Sequence, residues 1–132
     1  MTLVIDVAGV MEIILHKGKA GKFNKLLHEA GQIIAPDLYV SELANTLWKY
    51  YRANEYSLDK CSLYIRKGIE LVDKFISSKE LWQEAFAEGV NNKHSIYDMF
   101  YMVAARRYGG IVVTSDSVLA AICKKNHVQV CF

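Results

Sequence analysis

The stretch Ser95–Asp116, SIYDMFYMVAARRYGGIVVTSD, constrains this chain more than any other part of it. Its pattern is an apolar helix with Asp98 in the first turn, a reversal at Gly109-Gly110, a short β-branched strand Ile111–Thr114, and Asp116 just past the strand. A helix that passes directly into a strand brings the chain back toward the end where the helix began. Asp98 and Asp116 are therefore expected at one end of a helix–strand unit. In a parallel α/β sheet ligands bind outside the carboxyl ends of the strands.

The rest of the chain supplies the sheet this unit needs. Thr2–Ile5 reads as a buried strand ended by Asp6, with Val7-Ala8-Gly9 as a turn and Val10–Leu15 as a short helix. Lys17-Gly18-Lys19-Ala20-Gly21 is a basic connector, followed by a helix with Phe23, Leu26, Leu27 and Ala30 inward and Gly31 as its stop. Gln32–Ala35 is the second strand. Pro36-Asp37 opens a helix that reaches Asn54 and carries Glu42, with Leu38 and Asn45 close to the same face. Ser57–Leu71 is helical, with Leu58, Cys61, Leu63 and Ile65 partly periodic; the segment Glu70–Ile76 either ends that helix or forms a third strand. Ser78–Val90 is a helix with Leu81, Ala85 and Phe86 inward, broken by Asn91-Asn92-Lys93. Ser117–Lys125 is a helix and Val128–Phe132 the last strand. Strands alternating with helices predict an α/β fold, a parallel sheet covered on both faces.

At 132 residues and 52% hydrophobic the chain suits one domain, residues 1–132, with a core of its own. No apolar run approaches the roughly 18 residues of a spanning helix, and the first residues lack a signal-peptide profile, so a cytoplasmic protein with no membrane contact is expected. Cys61, Cys123 and Cys131 show no C-x-x-C spacing, and the four histidines form no zinc pattern. Net charge is only +2, but Lys17, Lys19, Lys22 and Lys25 cluster early. If acidic groups converge in one pocket, the remaining surface is basic.

Each carboxylate has an ordinary explanation. Asp6 and Asp116 read as helix N-caps, Ser95 and Asp98 as a capping box, and Glu42 as a helix-surface charge. Their joint placement is harder to dismiss, because Asp6 and Asp116 both follow buried strands while Asp98 and Glu42 lie near the starts of helices at the same sheet edge. Carboxylates about 4 Å apart repel by about 4 kcal/mol per pair at an effective dielectric of about 20. A hard divalent cation supplies the missing counter-charge: Mg²⁺ or Mn²⁺ takes oxygen ligands and lowers the pKa of a bound water. No Ser-His or Cys-His pair and no glycine-rich nucleotide loop competes. Metal-dependent phosphodiester hydrolysis is the chemistry this pattern points to.

In "VIDVAGV", "VSELANTLWKY", "SIYDMFYMVAA" and "IVVTSDSVLA" the chain resembles the PIN-domain family, and within it the VapC-like toxin ribonucleases of type II toxin–antitoxin systems. The resemblance implies a five-stranded parallel sheet in a three-layer α/β/α fold, with Asp6, Glu42, Asp98 and Asp116 binding Mg²⁺ or Mn²⁺. It also implies Thr114 and Asn45 as supporting groups, an RNA substrate, a homodimer and an inhibitory antitoxin partner. The sequence departs from the family pattern at Ala8, where a hydroxyl residue is common, and beyond Asp116, where Ser117 is the only polar neighbour before Val118 and Leu119. One well-held metal is therefore expected, with a second joining only alongside substrate.

Two other readings stay open on these residues: a housekeeping RNA-processing nuclease of the same fold, and a non-catalytic α/β module that binds RNA or protein. A receiver-like module is disfavoured because Val7-Ala8, not a second acid, follow Asp6, and the last strand holds no lysine.

Overall fold

The computed structural model describes residues 1–132. Five strands form one sheet: β1 (Thr2–Ile5), β2 (Gln32–Pro36), β3 (Lys74–Ile76), β4 (Ile111–Val113) and β5 (Val130–Cys131). All neighbours pair in parallel, in the order β3-β2-β1-β4-β5. The chain thus builds outward from β1 through β2 and β3, then crosses back to add β4 and β5 on the other side of β1. The direction of winding reverses between β1 and β4, the switch point at which open α/β sheets form a crevice.

Seven helices connect the strands: α1 (Val7–Ile14), α2 (Ala20–Glu29), α3 (Leu38–Arg52), α4 (Leu58–Glu70), α5 (Ser78–Asn92), α6 (Ile96–Tyr108) and α7 (Ser117–Lys125). They complete a three-layer α/β/α sandwich. Helix α1 packs against α2, α3 and α4, whereas α6 lies across β1, β2 and β4 and is backed by α5. Met99 through Ala105 are all buried, as a helix covered on both sides must be. The Arg106 guanidinium of α6, 2.5 Å from Glu88 of α5, ties the two helices, and the Asn91 amide steadies the same carboxylate from within α5.

Two glycines set the geometry near the switch point. Gly109 ends α6 in the left-handed region at φ 62°, which produces the reversal into β4. A Cβ on Gly9 would come within 2.5 Å of the Val113 carbonyl oxygen, so α1 approaches β4 this closely only with glycine there.

The third strand forms, at Lys74–Ile76. Several local expectations are corrected. Helix α1 starts at Val7, directly after β1, because Asp6 caps it; Val7-Ala8-Gly9 is its first turn and no separate turn exists. Helix α5 continues through Asn91 and Asn92, and left-handed Lys93 ends it. The last strand is only Val130–Cys131. Leu58, Leu63 and Phe86 point to solvent, as do Trp48 and Tyr51. They lie on outer faces of α3, α4 and α5 that nothing in the chain covers.

Candidate active site

Asp6 leaves the end of β1 and is 6% exposed. One oxygen, Oδ1, accepts from the Gly9 N–H at 2.7 Å and caps α1; the other, Oδ2, accepts from the Thr114 hydroxyl at 2.5 Å. That hydroxyl also accepts from the Asp116 N–H at 3.0 Å, so one side chain orients both strand-end acids. Asp116 in turn caps α7, its Oδ1 accepting from the N–H groups of Val118 and Leu119. The Ser115 hydroxyl donates to the Ala8 carbonyl at 3.0 Å and binds the β4–α7 loop to the first turn of α1.

Glu42 and Asp98 cap nothing. Glu42 projects from the second turn of α3, where its Oε1 accepts from the Tyr101 hydroxyl at 2.6 Å. Asp98 stands in the first turn of α6, its Oδ2 3.5 Å from His94 Nε2. The capping box expected between Ser95 and Asp98 is not made: Ser95 flanks the helix without a side-chain hydrogen bond.

All four carboxylates line one cavity of about 390 Å³, together with Glu12, Lys17, Thr46, Tyr50, Tyr101 and Ser115 among others. Burial pushes the Asp6 carboxyl up from 3.8 to about 7, against the lowering effect of its Thr114 and Gly9 hydrogen bonds, and the charges of Asp98 and Asp116 add to the rise. Glu42 is raised by burial and by Asp98, with the Tyr101 bond opposing. Asp98 is raised by burial and by Asp116, with His94 opposing. These carboxylates feel one another across the cavity, yet no three acidic, histidine or cysteine side chains close in on a single point as a preformed metal cage requires.

The supporting residues divide. Thr114 is fully buried between Asp6 and Asp116. Asn45 is exposed and lies outside the cavity lining, and Ser117 likewise. Thr46, one turn beyond Glu42, lines the wall that Asn45 does not reach. Tyr101, Thr46 and Ser115 escaped the reading of the sequence, and Lys17 entered it only as one of an early basic cluster. For two of them a signal existed: Tyr101 lies three residues after Asp98 and Thr46 four after Glu42, each on the face of its acid.

No protein-family model matches the chain. It is 27% identical over 122 residues to Ribonuclease VapC3 of Pyrobaculum aerophilum, covering 91% of this chain and 93% of that protein. The crystal structure of PAE2754 from Pyrobaculum aerophilum superposes with a TM-score of 0.77 at 21% identity, covering 98% of this chain and 83% of that one. VapBC2 from Rickettsia felis, in a crystal structure bound to a DNA fragment from its promoter, matches with a TM-score of 0.69 at 12% identity over 99% of this chain and 98% of that one. With five parallel strands in three layers and a similarity that runs its whole length, the chain has the PIN-like fold of these VapC neighbours and is similar in sequence to a VapC ribonuclease.

Proposed function

We propose that this protein is a divalent-metal-dependent endoribonuclease that hydrolyses RNA phosphodiester bonds, and that it is the toxin of a toxin–antitoxin pair. The observation that carries the reading is the convergence of Asp6, Glu42, Asp98 and Asp116 on one cavity at the switch point of the sheet. Similarity to a protein named as a ribonuclease supports the substrate class, and likeness in fold to VapBC2 supports an antitoxin partner.

The donor set fits Mg²⁺ or Mn²⁺. Its ligands are hard carboxylate oxygens, and their open spacing suits a cation that keeps several waters and takes one or two carboxylates beside a substrate phosphate. Asp6, buried and slow to ionise, takes full charge readily only with a positive neighbour. When bound, such a cation stabilises charge on phosphoryl oxygens and makes a water acidic enough to react near neutral pH. The chain's own part is to fix Asp6 and Asp116 through Thr114, hold Glu42 through Tyr101, and leave Asp98 open to the cavity.

A homodimer belongs to the same reading. Trp82, Phe86 and Val90 form an i, i+4, i+8 stripe on α5, exposed by 56%, 57% and 64%, and contiguous apolar surface of this kind marks association sites.

Cleavage of a single-stranded RNA with Mg²⁺ or Mn²⁺, with chelator, and with Asp98→Asn tests the proposal. Metal-dependent cleavage that disappears in the variant is expected; equal cleavage by the variant, or none by the parent with either metal, rejects it.

A further inference from the structure

Lys17 is the one cationic side chain on the lining of the acidic cavity. The way α1 ends puts it there. His16, left-handed at φ 52°, donates its N–H to the Ile13 carbonyl at 3.2 Å, and the Lys17 N–H reaches back to the Glu12 carbonyl at 2.9 Å. This paired closure of a helix C-terminus fixes the backbone of the residue after the left-handed one. Lys17 is thereby held at the rim, on the same wall as Glu12.

The ammonium has no partner. Lys17 makes no ion pair, since those of the chain involve His94, Arg106 and Arg107, and its side chain takes part in no hydrogen bond. A lysine serving to neutralise the carboxylates would lie against them and be buried with them. Lys17 is exposed.

We propose that Lys17 anchors a phosphate of the RNA strand at the mouth of the cavity, beside the bond that is cut; the inference rests on the ribonuclease reading above. A strand entering meets Asp98, Asp116 and Glu42 below and Glu12 at the rim, all of the same sign as its own backbone. A fixed cation at the entrance offsets that repulsion for one phosphate. Lysine acts there as a compact point charge that accepts many phosphate orientations. The contact fixes the register of the strand and carries no base preference.

Binding, not turnover, tests it. Fluorescence anisotropy of a labelled single-stranded oligoribonucleotide is measured in Mg²⁺ against Asp98→Asn protein, with and without Lys17→Gln, across a salt series. Loss of one phosphate contact is expected to weaken binding about 3- to 10-fold and to reduce the slope of log Kd against log salt by about 0.7. Lys17→Arg is expected to keep most of the affinity, and Lys17→Gln to melt where its parent does. Unchanged affinity and slope in Lys17→Gln overturn the proposal, as does a lowered melting temperature that accounts for the lost binding. If the parent neither binds nor cleaves RNA, the ribonuclease reading falls and takes the anchor with it; if the parent binds RNA and Lys17→Gln binds equally, only the anchor falls.

Discussion

Thr114 donates its hydroxyl proton to Asp6 across 2.5 Å, joining the ends of β4 and β1 with the shortest polar contact in the buried part of the site. Thr114→Val keeps the shape and the β-branch but removes the donor and leaves an oxygen of Asp6 without a partner. A loss of about 1–3 kcal/mol is expected in urea unfolding. The Asp6 carboxyl should also rise further, because the Thr114 bond is what lowers it most. Unfolding midpoints equal to the parent's at neutral pH would show that the contact contributes nothing.

The metal-free protein should lose stability as pH rises. Asp6 titrates near 7 when folded and near 3.8 when unfolded, so between these values the unfolded chain gives up a proton that the folded chain keeps. Fewer protons on the unfolded state mean a negative slope of unfolding free energy with pH, running from about 4 to about 7 and flat outside that window. Glu42 and Asp98, also raised, add slope of the same sign. Melting in chelator at a series of pH values measures it. Asp6→Asn should flatten the part nearest pH 7, and a stability that climbs across the window would refute the assignment.

Mg²⁺ should reverse this trend. Binding to the folded state raises the melting temperature by mass action, and deprotonated carboxylates bind best, so the increase should be larger at pH 8 than at pH 5.5. Proton release on titration with Mg²⁺, read by calorimetry in buffers of different ionisation enthalpy, checks the same coupling. A melting temperature indifferent to millimolar Mg²⁺ at both pH values would count against a metal at this cavity.

Tyr101→Phe removes the phenol that Glu42 accepts from. Tyr101 is 1% exposed, so the ring stays packed while Glu42 loses its orientation. About 1 kcal/mol of stability should go, and the pH at which cleavage half-rises should shift upward, since that hydrogen bond is what lowers the Glu42 carboxyl. A cleavage profile superimposable on the parent's would mean that Glu42 needs no holding.

Gly9→Ala forces a methyl toward the Val113 carbonyl, which as backbone has little room to retreat. A destabilisation of about 1–3 kcal/mol is expected from the overpacking, with Asp6 displaced because Gly9 is its capping partner. Thermal melting indistinguishable from the parent's would show that α1 can back away from β4 without cost.

How far the sequence could be read depended on the range of the forces involved. Asp6, Asp98 and Asp116 were legible because each stands where a periodic segment changes type, and those changes are local. The third strand was ambiguous because three residues are too few for a period to declare itself. Gly9 looked like a turn because glycine is common there, whereas its use is a contact with a strand more than a hundred residues away. Leu58, Leu63 and Phe86 were misleading because five residues separate Leu58 from Leu63 and Leu81 from Phe86, about 140° round a helix, so apolar side chains this far apart do not share one buried face. The cavity walls from Lys17, Tyr50 and Ser115 depend on chain crossings that no local pattern records.

Asp6 and Asp116 each follow a strand, cap a helix and face the cavity, whereas Glu42 and Asp98 cap nothing. The first pair is therefore held in place by two separate demands, and the second pair by one. In a population where the activity became a burden, alleles that silence the enzyme yet still make a folded protein would arise most readily at Asp98 and Glu42. Lesions at Asp6 or Asp116 would more often remove the protein altogether.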